Sequence, residues 1–198
     1  MFLQGQQLRD AIVSHPYRTF EEVRSNVKGG ILITPFDVSQ VAQSSVDVHL
    51  HPLCYVHNGK RPLDLSRDDS DCFDPHIIEP GGMLLTNQMF VLGATIEKIY
   101  STEYLCELTG CSSPARKGLG IEDAGFIEAG FAGSITLELR CSSPTGVIIY
   151  PGSKIGQLKF VKIEESENYQ DRGSYARGWE VDGPTLSRSH LQPRRHHK

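Results

Sequence analysis

A chain of 198 residues with 38% hydrophobic and 22% charged residues has the composition of one globular domain with a substantial core, and leaves little room for two. Its formal charge of −4 provides no broad attraction to nucleic acid or to an anionic membrane surface, while leaving a local anion pocket possible in principle. The five cysteines, Cys54, Cys72, Cys106, Cys111 and Cys141, are odd in number and widely spaced, with no CxxC pair, as expected of a reduced intracellular protein and not of a disulfide framework. Residues 1–13 carry no apolar core of signal-peptide length, and no stretch approaches the roughly 18 apolar residues of a membrane span, so a cytoplasmic protein without membrane or nucleic-acid partners is expected.

In chain order, Leu8, Ile12 and Val13 stand at roughly helical spacing and predict a short helix over Gln6 to His15, ended by Pro16. A polar stretch follows, and Gly29-Gly30 leads into a short strand over Ile31 to Ile33, closed by Pro35. From there the pattern is β. Ser45 to Leu50 alternates polar and apolar residues, and further strands are read over Leu53 to Val56, Met83 to Leu85, Phe90 to Leu92, Glu97 to Ile99 and Tyr104 to Leu108. Phe126-Ile127, Ser134 to Leu139, Val147 to Tyr150 and Ile155 to Ile163 complete the series, punctuated by Pro80-Gly81-Gly82 and Pro151-Gly152. Many short, closely spaced strands predict a mainly β fold, a barrel or jelly roll preceded by a short helix. Arg61 to Asp74 reads as an acidic surface excursion. Residues 1–163 are expected to form the β domain, and the polar residues 164–198 a tail that is either disordered or a lid ordered by ligand.

Chemistry concentrates between Leu108 and Arg140. Gly110-Cys111-Ser112-Ser113, followed by Arg116 and Lys117, is a turn able to offer N–H groups, hydroxyls and cations to a phosphate chain, although the same residues also fit an ordinary turn and a solvated basic pair. Ala124-Gly125-Phe126-Ile127, with Gly130 shortly after, predicts a tight hairpin that approaches a ligand closely or simply packs closely. Strict alternation sends Ile135, Leu137 and Leu139 to one face and Thr136, Glu138 and Arg140 to the other. Glu138 is then either a solvated strand residue or, where that face lines a pocket between subunits, a partly desolvated carboxylate able to shuttle protons.

Seven segments in order resemble the dCTP deaminase family of the trimeric dUTPase-like superfamily, over roughly Leu8 to Leu191. Gln43 to Val48 resembles QPSSVDVRL, Phe90 to Thr95 resembles FVLGSTLE, and Gly110 to Arg116 resembles GRSSLAR. Ala124 to Phe131 resembles AGFIDPGF, Ile135 to Glu138 resembles ITLE, Pro151-Gly152 with Ile155 to Leu158 resembles PGMKIGQL, and Gly183 to Ser189 resembles GPTPSRS.

The resemblance implies a homotrimer with sites at subunit interfaces and hydrolytic deamination of a deoxycytidine nucleotide, dCTP to dUTP and ammonia, a reaction at the C–N bond of a cyclic amidine. Glu138 would be the general acid/base that activates water toward C4 of cytosine, with Ser112 and the Ala124 carbonyl holding that water or the amine, and Arg116 orienting the base and Glu138. Ser112 and Ser113 would cradle phosphate oxygens and Gln157 would reach the triphosphate; Cys111, Thr136 and Leu137 fall within the substrate-binding segments. Glu128 would meet the 3′-hydroxyl, and Phe126 and Ile127 the sugar. Counting back from Gly183, Tyr169 falls on the tail tyrosine and Arg177 on the phosphate-binding lysine. Magnesium would enter on the nucleotide phosphates. No zinc is expected, since no His is followed two residues later by Glu and no CxxC exists, the pattern zinc deaminases need.

The chain departs from the family pattern at Cys111, which replaces an arginine, at Val181, which replaces a glutamine, at Pro114, which replaces a leucine, and in a loop one residue shorter between Arg116 and Ala124. Two rival readings follow: a dUTPase-like or bifunctional dCTP-to-dUMP hydrolase, with Glu128 at the position of the hydrolases' acid, and a non-catalytic nucleotide-binding protein.

Overall fold

The computed structural model describes residues 1–121, 125–164 and 178–186. Its first helix is shorter than the apolar spacing predicts. α1 (Gly5–Ala11) ends where the β-branched Ile12 and Val13 begin, and these two form β1 (Ile12–Val13) instead. Next comes a helix within what reads in the sequence as a polar stretch, α2 (Phe20–Asn26). Thr19 caps it: its hydroxyl accepts the Glu22 N–H, and Glu22 reaches back to the Thr19 N–H, a reciprocal box that satisfies two otherwise orphaned donors. β2 (Ile31–Thr34) runs parallel to β1, with Ile12 opposite Ile31.

The expected mainly β architecture follows: β3 (Val46–His49), β4 (Leu53–His57), β5 (Phe73–Ile77), β6 (Met83–Leu85), β7 (Val91–Tyr100) and β8 (Tyr104–Gly110). A helical turn, α3 (Ser112–Arg116), precedes β9 (Leu119–Gly120), β10 (Phe126–Ile127), β11 (Ala132–Cys141), β12 (Val147–Ile149) and β13 (Lys154–Lys162). Leu92 and the Glu97 to Ile99 run, which read as parts of two strands in the sequence, belong to the single ten-residue strand β7. An irregularity in its pairing with β11 hides this, because Ser134 faces Lys98 while Thr136 faces Ala94. There the Thr95 hydroxyl accepts the Ile135 N–H at 2.9 Å in place of a ladder bond.

One sheet runs β1-β2-β7-β11-β9, with β4 on β7 and β5 on β4; a second runs β10-β8-β13-β3; β12 and β6 form a separate ribbon. Between the two larger sheets lies the main core, to which Val46, Val48, Leu108, Leu158 and Phe160 contribute from one side and Ile33, Val91, Ile99, Leu137 and Leu139 from the other. Because β2 is covered on both faces, it reads as a continuous apolar run: Ile31 and Ile33 join that core, and Leu32 turns to a second one.

That second core holds Val23, Val27, Leu32, Tyr100, Ala132 and Trp179. Residues 178–186 therefore pack against the β domain. Trp179 is 1% exposed and donates its indole N–H to the Tyr17 carbonyl, while the Gly178 N–H donates to the Ala132 carbonyl. Residues 165–177 and 187–198 of the expected tail lie outside the described residues. Among the described residues, no helix is long and apolar enough to cross a membrane.

Candidate active site

β8 and β13 bring the twin-serine turn and Gln157 together. Gly110 pairs with Gly156 and Thr109 with Gln157, so the turn leaving β8 lies beside the start of β13. Gly156 permits the approach, since a Cβ there would stand 2.8 Å from the Ile121 side chain. Cys111 precedes α3, and its carbonyl accepts the Ala115 N–H. Gly118, at φ +89°, then reverses the chain so that β9 runs back along the end of β11, with Leu119 opposite Cys141.

The turn forms one wall of a cleft of about 490 Å³, lined by Cys111, Ser112, Ser113, Pro114 and Lys117, with Val147 to Tyr150, Ser153, Lys154, Ile155 and Gln157 opposite. Of the expected site residues, Cys111, Ser112, Ser113 and Gln157 meet here. Cys111 is only 5% exposed, whereas both serines are exposed. Asp47 braces the far wall: one carboxylate oxygen accepts from Gln157 Nε2 at 3.2 Å, and the other pairs with Lys154 Nζ at 2.6 Å. Neither Asp47 nor Lys154 stands out in the sequence. The alternation of Ser45 to Leu50 puts Asp47 on a polar face, and only the pairing of Asp47 with Gln157 between β3 and β13 shows what it holds.

Glu138 stands on β11, in the sheet other than that of β8 and β13. It is half-buried on β11 opposite Leu92, while Ile135, Leu137 and Leu139 are buried in the core, so the alternation read from the sequence is the one that forms. Thr136, on the same face, accepts the Thr185 N–H at 3.0 Å, which sets residues 178–186 along this side of the strand. Leu137 is fully buried, and its backbone pairs with Gly93 of β7. Glu138 is not among the residues lining the cleft. It stands three residues before Cys141, roughly 10 Å along the strand from the β9 junction that leads to α3.

Arg116 is exposed on α3 and does not line the cleft. Phe126 is exposed and Ile127 buried on β10, paired with Glu107 and Cys106 of β8, and Glu128 is exposed beyond them. Ala124, Tyr169 and Arg177 lie outside the described residues.

Further polar clusters occur among the described residues. Glu97, 2% exposed, accepts from Gln40 Nε2 at 2.8 Å, from the His49 N–H at 2.9 Å and sits 2.7 Å from His49 Nδ1, so its buried charge is fully partnered. Asp69, Asp71 and Cys72 are near enough to share a cation among the described residues, but Arg61 already pairs with both aspartates and holds the Asp69 carboxyl below the usual range.

Comparison with known proteins gives the class. A family model described as "dCTP deaminase-like" matches residues 18–163. A "dCTP deaminase, dUMP-forming" of Sulfurihydrogenibium sp. is 36% identical over 163 residues, covering 77% of this chain and 87% of that protein. The protein of the same name from Mycolicibacterium vanbaalenii is 38% identical over 180 residues, covering 85% of this chain and 93% of its own. The crystal structure of 2′-deoxycytidine 5′-triphosphate deaminase from Agrobacterium tumefaciens superposes with a TM-score of 0.57 at 15% identity, over 87% of this chain and 53% of that one, and shows the same fold. The chain belongs to the dCTP deaminase-like family.

Proposed function

We propose that this protein is a dCTP deaminase that carries its substrate through to dUMP: dCTP and two waters give dUMP, ammonia and diphosphate. The sequence reading favours dUTP as product and holds the dCTP-to-dUMP conversion as its rival. The Sulfurihydrogenibium and Mycolicibacterium relatives, both called dUMP-forming, favour the rival. The observation that carries the deaminase reading is Glu138, a half-buried carboxylate on a strand face beside Thr136, at the position matching the ITLE motif.

On this reading Glu138 takes a proton from water as the oxygen adds to C4 of cytosine, then delivers it to the amino group, which leaves as ammonia. Ser112 and the Ala124 carbonyl hold the water or the amine, and Arg116 orients the base. Phe126, Ile127 and Glu128 meet the deoxyribose, with Thr136 alongside. Ser113, Gln157, Tyr169 and Arg177 serve the phosphates, where magnesium arrives as part of the substrate. A second water then attacks the α-phosphorus and displaces diphosphate, with Glu128 the acid available to orient it.

Glu138 does not line the cleft of its own chain, which supports a homotrimer in which a neighbouring copy brings the two together. The exposed cross-strand pair Leu84 and Ile148 offers apolar surface for such a contact.

Chromatography of the products from dCTP, with ammonia and diphosphate measured together, tests the reaction. Equal yields of dUMP, ammonia and diphosphate are expected. Accumulation of dUTP would return the product to that of a simple deaminase, and absence of ammonia would refute deamination. Sedimentation tests the trimer.

A further inference from the structure

A triphosphate presents several negative charges, and a cleft that selects it needs cationic donors free to turn toward it. The lining of this one restricts the choice. The thiol of Cys111 is buried and at best a weak donor. Lys154 is paired at 2.6 Å with Asp47, and the Gln157 amide, which gives one N–H to the same carboxylate, is neutral. Ser112 and Ser113 are exposed but neutral, and Arg116, although adjacent, does not line the cleft.

Lys117 is different. It follows α3 directly, is exposed, lines the cleft beside Ser113 and Pro114, and makes no ion pair among the described residues. Its backbone is fixed by an N–H bond to the Pro114 carbonyl at 3.0 Å, so a flexible ammonium is carried on a defined turn. We propose that Lys117 is the specificity-determining cation for the outer phosphates of the nucleotide, in a turn where Cys111 stands in place of the arginine of the GRSSLAR pattern. The proposal rests on the reading of this cleft as the phosphate subsite. It also accounts for how a buried cysteine is compatible there: the cation has moved from one end of the turn to the other.

Titration calorimetry of the full-length protein with inorganic tripolyphosphate tests the subsite without any deamination, and runs beside dCTP and dCMP kinetics. Lys117→Ala should weaken tripolyphosphate binding and raise the KM for dCTP about tenfold, the size of one charge-assisted hydrogen bond, with kcat within about twofold. Lys117→Arg should stay within about threefold of the parent, and dCMP, which lacks the outer phosphates, should not distinguish the variants. Adding Cys111→Arg to Lys117→Ala should restore dCTP affinity. Equal tripolyphosphate and dCTP affinity in the parent and Lys117→Ala, or no tripolyphosphate binding by the parent, would overturn the proposal. Tripolyphosphate discrimination without ammonia release would leave the phosphate site standing and refute the deaminase reading.

Discussion

Trp179 donates its indole N–H to the backbone carbonyl of Tyr17 at 3.0 Å, joining residues 162 apart in the chain. The same tryptophan gives its carbonyl to Lys98 Nζ at 2.8 Å, and its neighbour Glu180 accepts the Phe20 N–H at the start of α2. The segment is thus an integral part of the second core. Trp179→Ala is expected to lower the unfolding free energy by about 3–5 kcal/mol in urea titrations, the usual range for removing a buried aromatic ring. Because Trp179 is the sole tryptophan, its emission should be blue-shifted and poorly quenched by acrylamide in the native protein. Quenching like that of a free indole would contradict its burial.

Gly133 is needed for the same contact. Its φ is +140°, and a Cβ on it would lie 2.8 Å from the carbonyl carbon and oxygen of Gly178. Gly133→Ala should cost roughly 1–3 kcal/mol of backbone strain and displace the segment. Hydrogen exchange at the Gly178 amide, which donates to Ala132, reports this directly: protection should fall in the variant and persist in the parent.

Stability should also depend on pH through Glu22. Its carboxylate accepts the N–H groups of Arg18 and Thr19, and these bonds hold its pKa below the ordinary value. A carboxyl whose folded pKa is depressed stabilises the fold above its unfolded pKa, and that contribution is lost as pH falls through the folded one. The stability difference between the parent and Glu22→Gln should therefore be present at neutral pH and shrink as pH drops from about 5 toward 3. A difference that does not change with pH would exclude the charged cap as its origin.

Glu138→Gln should reduce ammonia release from dCTP by at least about a hundredfold, the lower end for removing a general acid/base, while nucleotide affinity changes little. Near-parental turnover would remove Glu138 from the chemistry. Loss of binding together with turnover would make it a substrate-holding group instead.

Much of the β domain is legible in the chain because its strands alternate or run continuously apolar, as in Ser45 to Leu50 and Ser134 to Leu139. Elements set by distant partners are not. α2 fully buries only Val23 among its own side chains, and its capping box, Thr19 with Glu22, is the one local signal. β5 contains Asp74, Pro75 and His76 and is largely exposed, so it looks like the end of an acidic loop; pairing with β4 makes it a strand. Trp179 sits in a polar stretch with no periodicity, and the residues that bury it come from α2, β2, β7 and β11. In the site, the face of Glu138 follows from period two, and the twin serines from the turn. Which residues share the cleft depends on the register of β13 against β8 and β3, which no local pattern encodes.

Asp47, by taking Gln157 with one oxygen and Lys154 with the other, has a thermodynamic effect that reaches beyond the two bonds. Glutamine and lysine are among the side chains with the most rotational entropy to lose, up to about 1.5–2 kcal/mol each. Here that loss falls within folding, as β3 and β13 zip together, and not at the moment a ligand docks. An incoming ligand therefore encounters one rigid flank and one adaptable flank, and the orientation of the rigid flank is inherited from the barrel itself.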